Sequence, residues 1–250
     1  MDRNDAHASS STYARLAGLT YLVVIVLPLV GLALVQPHLA TDGDAVEVAR
    51  RLAAQQPLFR AGLALDLAMF TGVLVLAAAH HVLLARVDRS LSLIALVLRS
   101  AEGILGIVTL LAGAAVAAIL SDGASVEASA PLVAALLRAR AAGMDFVLVL
   151  LCLGAIPFCW LFFVSRAVPR LLSGFGIACY ALILAGSITN ILTPAYAEWT
   201  ILAFAPGTLF ELSIGLWLLV RGVRFEAQRP IATDHSMTAA PASRRALHEA

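Results

Sequence analysis

The stretch LSLIALVLRSAEGILGIVTLLAGAAVAAIL, residues 91–120, is an apolar run that contains two charges, Arg99 and Glu102. A bilayer core about 30 Å thick needs roughly twenty predominantly apolar residues per helix, so this run is long enough to span it. A charge at that depth costs about 2.5–3.5 kcal/mol on insertion scales and usually faces the interior of a helix bundle. The run therefore predicts a membrane-spanning helix whose charged face packs against other helices.

The composition of the whole chain agrees with a membrane location. Of the 250 residues, 61% are hydrophobic and only 13% are charged, whereas soluble domains have about 25% charged residues. The net charge of +1 gives no reason to expect a nucleic-acid partner. All seventeen basic residues are arginines, which excludes a lysine-nucleophile mechanism. The lipid bilayer is therefore the expected partner.

Six apolar runs are long enough to cross a bilayer, which predicts an all-α integral membrane protein with a six-helix transmembrane bundle. The predicted spans are residues 16–35, 61–84, 91–120, 146–164, 171–192 and 201–220. The first run is too long for a signal peptide and has a flank of mixed charge, so we interpret it as a retained helix. The predicted divisions are an N-terminal cytoplasmic segment (1–14), the six-helix domain (15–223) and a disordered cytoplasmic tail (224–250).

The arginines predict that both termini are cytoplasmic, because cytoplasmic ends carry an excess of basic residues. Four arginines fall in the opposite loops: Arg50, Arg51, Arg138 and Arg140. Eleven fall at the cytoplasmic ends in this orientation: Arg3, Arg15, Arg86, Arg89, Arg166, Arg170, Arg221, Arg224, Arg229, Arg244 and Arg245. Trp199 and Trp217 lie near the two ends of the sixth span, where interfacial aromatic residues are common. The expected location is the inner membrane.

Two segments outside the predicted spans have helical patterns. The stretch TDGDAVEVARRLAAQQP, residues 41–57, predicts a short amphipathic helix capped by Asp44 and Glu47. Its apolar stripe consists of Ala45, Val48, Ala49 and Leu52. The loop at residues 121–145 predicts a similar short helix around residues 131–142.

Five charged residues in or beside the spans are the candidate site: Arg60, Asp66, Arg99, Glu102 and Glu211. Each membrane-embedded charge belongs to a helix face rich in small residues, which is typical of helix–helix contacts. On the second span, Asp66 shares a face with Gly62 and Phe70. On the third, Arg99 and Glu102 share a face with Gly103, Gly106 and Gly113. On the sixth, Glu211 lies between Gly207 and Gly215. This pattern predicts a bundle core built from the second, third and sixth spans.

Even with Arg60 reaching the Asp66 end, one deeply placed arginine cannot neutralise three carboxylates, and three interpretations follow. In the first, Arg99 bridges Glu211 and clamps the third span to the sixth, with Glu102 neutral. In the second, the excess negative charge indicates a site for a small solute, an ion or a proton. In the third, the carboxylates are catalytic. The residues leave these alternatives open.

The other reactive residues carry weaker signals. His80 and His81 point about 100° apart on a helix and cannot chelate one ion together, so we interpret them as polar ends near the cytoplasmic interface. Cys152, Cys159 and Cys179 lie in apolar runs and are predicted to be buried thiols. No hydrolase, metalloprotease, phosphate-loop or dinucleotide motif occurs. The sequence therefore predicts no catalytic residues, metal site or cofactor, and leaves a protein partner or oligomeric state undetermined.

Five stretches together resemble the bacterial family catalogued as domain of unknown function 4386, which consists of six-helix integral membrane proteins. They are ARLAGLTYLVVIV (14–26), GDAVEVARRLAAQQPLFRAGLALDLAMF (43–70), LIALVLRSAEGILG (93–106), VPRLLSGFGIACY (168–180) and APGTLFELSIGLWLLVRGV (205–223). The resemblance covers about residues 14–223. The residues that match the family within it include Arg60, Asp66, Arg99, Glu102 and Glu211. It implies a topology but no established activity.

The chain departs from the resemblance at two places. The family tends to carry a histidine midway along the fourth span, where this chain has Gly154 and Pro157, and it lacks a pair like His80–His81. The leading hypothesis is a non-enzymatic membrane protein whose polar core binds or passes a small solute, an ion or a proton. The alternatives are a structural or regulatory bundle, or an intramembrane enzyme that acts on lipid.

Overall fold

The computed structural model describes residues 3–39, 43–122, 125–193, 204–223 and 225. Within these ranges the chain is helical and contains no strand, so the predicted all-α class is confirmed. Seven α-helices follow one another: α1 Arg3–Val30, α2 Ala45–Ala54, α3 Gln56–Leu84, α4 Arg89–Ile119, α5 Val126–Ser165, α6 Arg170–Leu192 and α7 Phe204–Val220.

Five segments are long and apolar enough to cross a membrane: Ser11–His38, α3, α4, α5 and α6. Helix α7 is also apolar but has 17 residues. Residues 201–203, with which the sixth predicted span begins, lie outside the described part of the chain, as do Trp199 and the tail from residue 226. The chain is thus a multi-pass helical membrane protein.

The bundle has two ends, which are named here by what they carry. At the hairpin end, short turns at residues 85–88 and 166–169 join α3 to α4 and α5 to α6. Asp88 caps α4 by accepting a hydrogen bond from the Leu91 amide at 2.9 Å. At the α2 end, the short helix α2 packs against the beginning of α5. These short turns make α3–α4 and α5–α6 tight antiparallel hairpins.

Each long helix packs against its neighbours in a closed arrangement. Helix α1 contacts α3 and α7, α4 contacts α3 and α5, and α6 contacts α5 and α7. The prediction that the second, third and sixth spans form one core is wrong in part. Helix α7 packs mainly against α1 and α6, although buried residues of α3, α4 and α7 belong to one hydrophobic cluster. Glycine patterns mark a helix face that approaches another helix, but they do not identify that helix.

The contact between α1 and α7 is a close backbone approach at Gly18 and Gly215. A Cβ atom at Gly18 would lie 2.4 Å from the Leu219 amide nitrogen and 2.7 Å from the Gly215 carbonyl oxygen. A Cβ atom at Gly215 would lie 2.9 Å from the Cβ of Tyr21. Small residues at membrane helix interfaces permit such approaches, and here they set the position of α7.

Helix α5 corrects the prediction of a separate short helix at residues 131–142. Residues Val126–Ser165 form one continuous helix of 40 residues, which corresponds to about 60 Å at 1.5 Å per residue. Because a bilayer core is about 30 Å thick, a large part of this helix extends beyond the hydrocarbon at the α2 end. Backbone hydrogen bonding continues across the lipid boundary, so the charges near residue 140 do not end the helix.

The predicted amphipathic helix is confirmed as α2. Asp44 has extended backbone angles and its side chain accepts a hydrogen bond from the Val46 amide at 3.3 Å, as an N-cap does. Val48, Ala49 and Leu52 are buried, and they pack in one cluster with the beginning of α5. Helix α2 therefore covers the α2 end of the bundle through its apolar stripe.

Replacing Asp44 by alanine is expected to loosen α2 without unfolding the bundle. Loss of an N-cap typically costs about 1 kcal/mol, and α2 has only ten residues. Hydrogen exchange should accelerate at the amides of α2 and remain unchanged in α4. Equal protection of α2 in the variant and the wild type would show that packing alone holds this helix.

Candidate functional site

Asp66 forms an ion pair with Arg140, which the sequence analysis had placed in a loop. Both side chains are partly accessible, with 32% of Asp66 and 23% of Arg140 exposed. The prediction that Arg60 reaches Asp66 is wrong. Arg60 instead donates a hydrogen bond to the Ser121 hydroxyl at 2.9 Å, at the end of α4. The charge of Asp66 is therefore balanced by α5.

The Asp66–Arg140 pair lies in the walls of two cavities. The larger has a volume of about 500 Å³ and the smaller about 350 Å³. Gln36, Asp66, Leu137 and Arg140 line both, so the cavities adjoin at the ion pair. Apart from these polar groups the larger cavity is walled mainly by apolar residues: Leu32, Val35, Leu39, Leu52, Phe59 and Leu63. Small-molecule sites are commonly apolar cavities of this size with a few polar groups.

The end of α1 forms an irregular wall of the larger cavity. Pro28 lies inside α1 and has no amide hydrogen, so it cannot donate to the carbonyl one turn earlier. The chain then forms a π-helical turn at Gly31–Val35 and a short 3₁₀ turn at Gln36–His38. Isolated π-helical turns are frequent at functional sites. Here the widened turn contributes Gly31, Leu32 and Val35 to the cavity wall.

Helix α2 closes one side of the larger cavity. Leu52 from its buried stripe lines the cavity. On its exposed side, Arg50 donates a hydrogen bond to the Glu127 carboxylate of α5 at 2.6 Å. This hydrogen bond raises the pKa of Arg50 above its usual value. Helix α2 is thus attached to α5 by an apolar contact beneath and an exposed ion pair above.

Arg99 and Glu102 form a second, separate polar cluster deep in the bundle. Their side chains pair within α4 at 2.5 Å, and the two residues are only 3% and 4% exposed. A Cβ atom at Gly154 of α5 would lie 2.7 Å from Arg99 Cγ and 2.9 Å from its amide nitrogen. At Gly154, where the resemblance leads us to expect a histidine, Arg99 therefore occupies the space of a side chain. Neither cavity described above is lined by this pair.

Glu211 belongs to the same buried region but has a different partner. Its carboxylate accepts a hydrogen bond from the Tyr180 hydroxyl of α6 at 2.8 Å. Arg99 is close enough to Glu211 for their charges to interact, but among the described residues the two side chains do not form an ion pair. The predicted Arg99–Glu211 bridge is therefore wrong, and a tyrosine links Glu211 to the fold.

The histidine pair also differs from its interpretation. His80 is 1% exposed, and its ring lies 5.0–5.5 Å from those of Tyr21, Phe158 and Phe162. It is a core side chain and does not reach the interface. His81 is half-buried, with its Nδ1 atom 3.0 Å from the Ser92 hydroxyl. The adjacent histidines thus have separate environments, as their angular separation on the helix requires.

The described residues contain no group of three histidine, cysteine, aspartate or glutamate side chains that could hold a metal ion. Cys152, Cys159 and Cys179 are buried free thiols, as predicted. Asp66 and Arg140 are polar groups that border open volume. In the deeper cluster, the arrangement offers charge-assisted contacts between helices.

Sequence reasoning missed Arg140, Gln36 and Tyr180. Leu137, Arg140, Ala141 and Met144 recur with the spacing of one helix face, and all four line the smaller cavity. That signal was present, but it fell in a segment interpreted as a short helix outside the spans. Tyr180 carried no signal, because a single tyrosine in an apolar helix is usually a packing residue.

The fold and these two polar clusters define a class: a multi-pass α-helical membrane protein with a cavity-lining ion pair and a separate buried ion pair. The sequence profile of the family described as "Domain of unknown function (DUF4386)" matches residues 16–222, and the chain belongs to this family. The resemblance noted from the sequence is thereby confirmed. No curated protein and no solved structure matches the chain.

Proposed function

We propose that this protein binds a small amphipathic solute from the membrane or its surface in the cavities around Asp66 and Arg140. The observation that carries the proposal is the placement of one accessible ion pair between two adjoining, largely apolar cavities of about 500 and 350 Å³. Charges in membrane helices usually mark functional positions. A pair needed only for packing would not require open volume on both sides.

The chemistry of the walls determines the kind of solute. Asp66 accepts hydrogen bonds and Arg140 donates them, so a ligand that contacts both needs a donor and an acceptor in one polar group. A zwitterion meets this requirement most fully, since it can pair with each partner. The apolar walls accommodate a hydrocarbon portion. The solute class is therefore a small molecule with a zwitterionic or amide-like head and an apolar body.

The proposed setting is the inner membrane, with six spans and both termini in the cytoplasm. Helix α7 is the sixth span, and residues 15–223 form the transmembrane domain, with cytoplasmic segments at 1–14 and 224–250. The arginine asymmetry supports this orientation, which places the hairpin end in the cytoplasm. The cavities then lie toward the opposite face, where α2 covers them.

The binding proposal predicts that Asp66→Asn and Arg140→Gln each abolish retention of a small molecule through purification. Asparagine has the shape of aspartate, and glutamine is a shorter polar replacement for arginine. Each substitution removes one charge from a partly exposed pair, so the fold is expected to remain intact. Solutes are extracted from the purified wild type and from each purified variant, and are identified and quantified by mass spectrometry. Wild-type protein should retain an amphipathic solute that both variants lose.

Glu47→Gln is the matched control, because Glu47 is an exposed carboxylate of α2 that pairs with Arg51 outside the cavity walls. It should retain the solute at the wild-type level. Equal retention by all four proteins, or the absence of any solute from the wild type, would contradict the proposal.

A second candidate function is structural and concerns the Arg99 cluster. Arg99 and Glu102 are almost completely buried, and the contact between Arg99 and Gly154 joins α4 to α5. These observations favour a clamp between helices. In this proposal the two polar clusters have different roles, with binding at Asp66 and stability at Arg99.

A further inference from the structure

A third cavity lies at the hairpin end, far from the proposed solute site. It has a volume of about 220 Å³ and lies between the α5–α6 turn and the end of α7. Arg166, Val168, Trp217 and Arg221 are among the residues that line it. Ala167 and Val168 in the turn are buried, at 3% and 1% exposure, so the turn that forms one wall is anchored in the core.

The backbone at the rim of this cavity is unusual. Arg166 ends α5 with a φ of 54°, and Gly222 follows α7 with a φ of 65°. Glycine adopts this left-handed conformation without strain and is the common residue after a helix end. An arginine there is disfavoured, and it is the only non-glycine residue with positive φ in the described ranges. The chain thus tolerates strain to place an arginine at the cavity.

The hairpin end carries a large excess of positive charge. Its described arginines are Arg3, Arg15, Arg86, Arg89, Arg166, Arg170 and Arg221, against two described acidic residues, Asp5 and Asp88. The Asp88 carboxylate already caps α4. Three of the guanidinium groups lie over aromatic rings: Arg86 over Phe225, Arg170 over Phe163 and Arg221 over Trp217, at 4.1, 5.3 and 5.7 Å. A ligand at this end should therefore be anionic.

Arginine recognises phosphate through paired, planar N–H donors, and tryptophan is enriched where a membrane meets water. Basic pockets between membrane helices bind the head groups of anionic lipids. A volume of about 220 Å³ is smaller than typical drug-sized pockets, which begin near 300 Å³. It suits a head group whose hydrocarbon chains remain in the bilayer.

We propose that the cavity between the α5–α6 turn and the end of α7 binds a phosphate group, supplied by the head group of an anionic glycerophospholipid. Arg166 and Arg221 hold the phosphate oxygens, and Trp217 packs beside them at the level of the glycerol esters. The site is independent of the solute site at Asp66, because the two lie at opposite ends of the bundle.

The test titrates the full-length protein in detergent with phosphatidylglycerol, phosphatidylcholine and inorganic phosphate, and counts bound ligands by native mass spectrometry. Phosphatidylglycerol should bind in preference to phosphatidylcholine. Arg221→Gln should weaken phosphatidylglycerol binding about tenfold, the loss expected for one charge-assisted hydrogen bond. Arg89→Gln is the matched control, because it removes the same charge at the same end from a residue that does not line the cavity.

Arg221→Lys distinguishes a binding site with specific arginine–phosphate contacts from a positively charged surface that attracts any anion. Lysine retains the charge but lacks the planar donors of arginine, so a site with specific contacts should lose affinity for phosphatidylglycerol in this variant. Wild-type affinity in Arg221→Lys, or equal losses in Arg221→Gln and Arg89→Gln, would overturn the proposal. If inorganic phosphate binds the cavity as strongly as phosphatidylglycerol does, the proposal that a lipid supplies the phosphate group is overturned.

Discussion

Replacing Arg99 by methionine is expected to lower the free energy of unfolding by about 3–5 kcal/mol, the usual cost of removing one partner from a buried ion pair. The substitution leaves Glu102 buried without its partner, and it also removes the positive charge that acts on Glu211. Unfolding by denaturant in mixed micelles, followed by circular dichroism, measures the change.

Double variants separate the two carboxylates. Arg99→Met with Glu102→Met removes both members of the observed pair, and such replacements often restore stability. Arg99→Met with Glu211→Gln leaves Glu102 unpaired. We expect the first double variant to be clearly more stable than the second. The opposite order would support the Arg99–Glu211 bridge expected from the sequence.

Replacing Gly18 by alanine is expected to destabilise the bundle by about 3 kcal/mol, at the upper end of the usual cost of overpacking. The added Cβ atom would lie 2.4 Å from the Leu219 amide nitrogen and 2.7 Å from the Gly215 carbonyl oxygen. Both are backbone atoms, so no side-chain rotation can relieve the contact. Helices α1 and α7 must move apart, and the thermal unfolding temperature in detergent should fall.

Gly174→Ala is the matched control, because it adds the same methyl group within α6. Its nearest neighbour would be an atom of the Phe163 ring at 3.8 Å, an ordinary contact distance. Alanine is favoured over glycine in a helix interior by about 1 kcal/mol. The control should therefore be neutral or stabilising. Equal stability of Gly18→Ala and Gly174→Ala would show that α1 and α7 are not in close contact at this point.

Part of the candidate site could be predicted from local pattern alone. In any tertiary arrangement, Arg99 and Glu102 lie on the same helix face as Gly103 and Gly106, because three- and four-residue spacing defines that face. Their pairing within α4 follows from the same spacing. All four residues are buried, as the pattern indicates.

The partners of the other two carboxylates could not be predicted in this way. Asp66 pairs with a residue 74 positions later, and Glu211 with one 31 positions earlier. Arg140 reaches Asp66 because α5 continues as one helix beyond the lipid. Tyr180 reaches Glu211 because α7 packs against α6. Both contacts depend on which helices are neighbours, and apolar helices with small-residue faces permit several arrangements.

The sequence by itself determined the class of this protein, its apolar helices, the amphipathic helix α2 and the burial of Arg99 and Glu102. These features follow from hydropathy and helical periodicity, which act over a few turns. Only the tertiary structure decided which charged residues pair with one another. It placed Asp66 with Arg140 beside open cavities and enclosed Arg99 with Glu102, because helix order and the length of α5 bring distant residues together. The single polar core expected from the sequence is therefore two clusters: one borders open cavities, and the other is closed by packing.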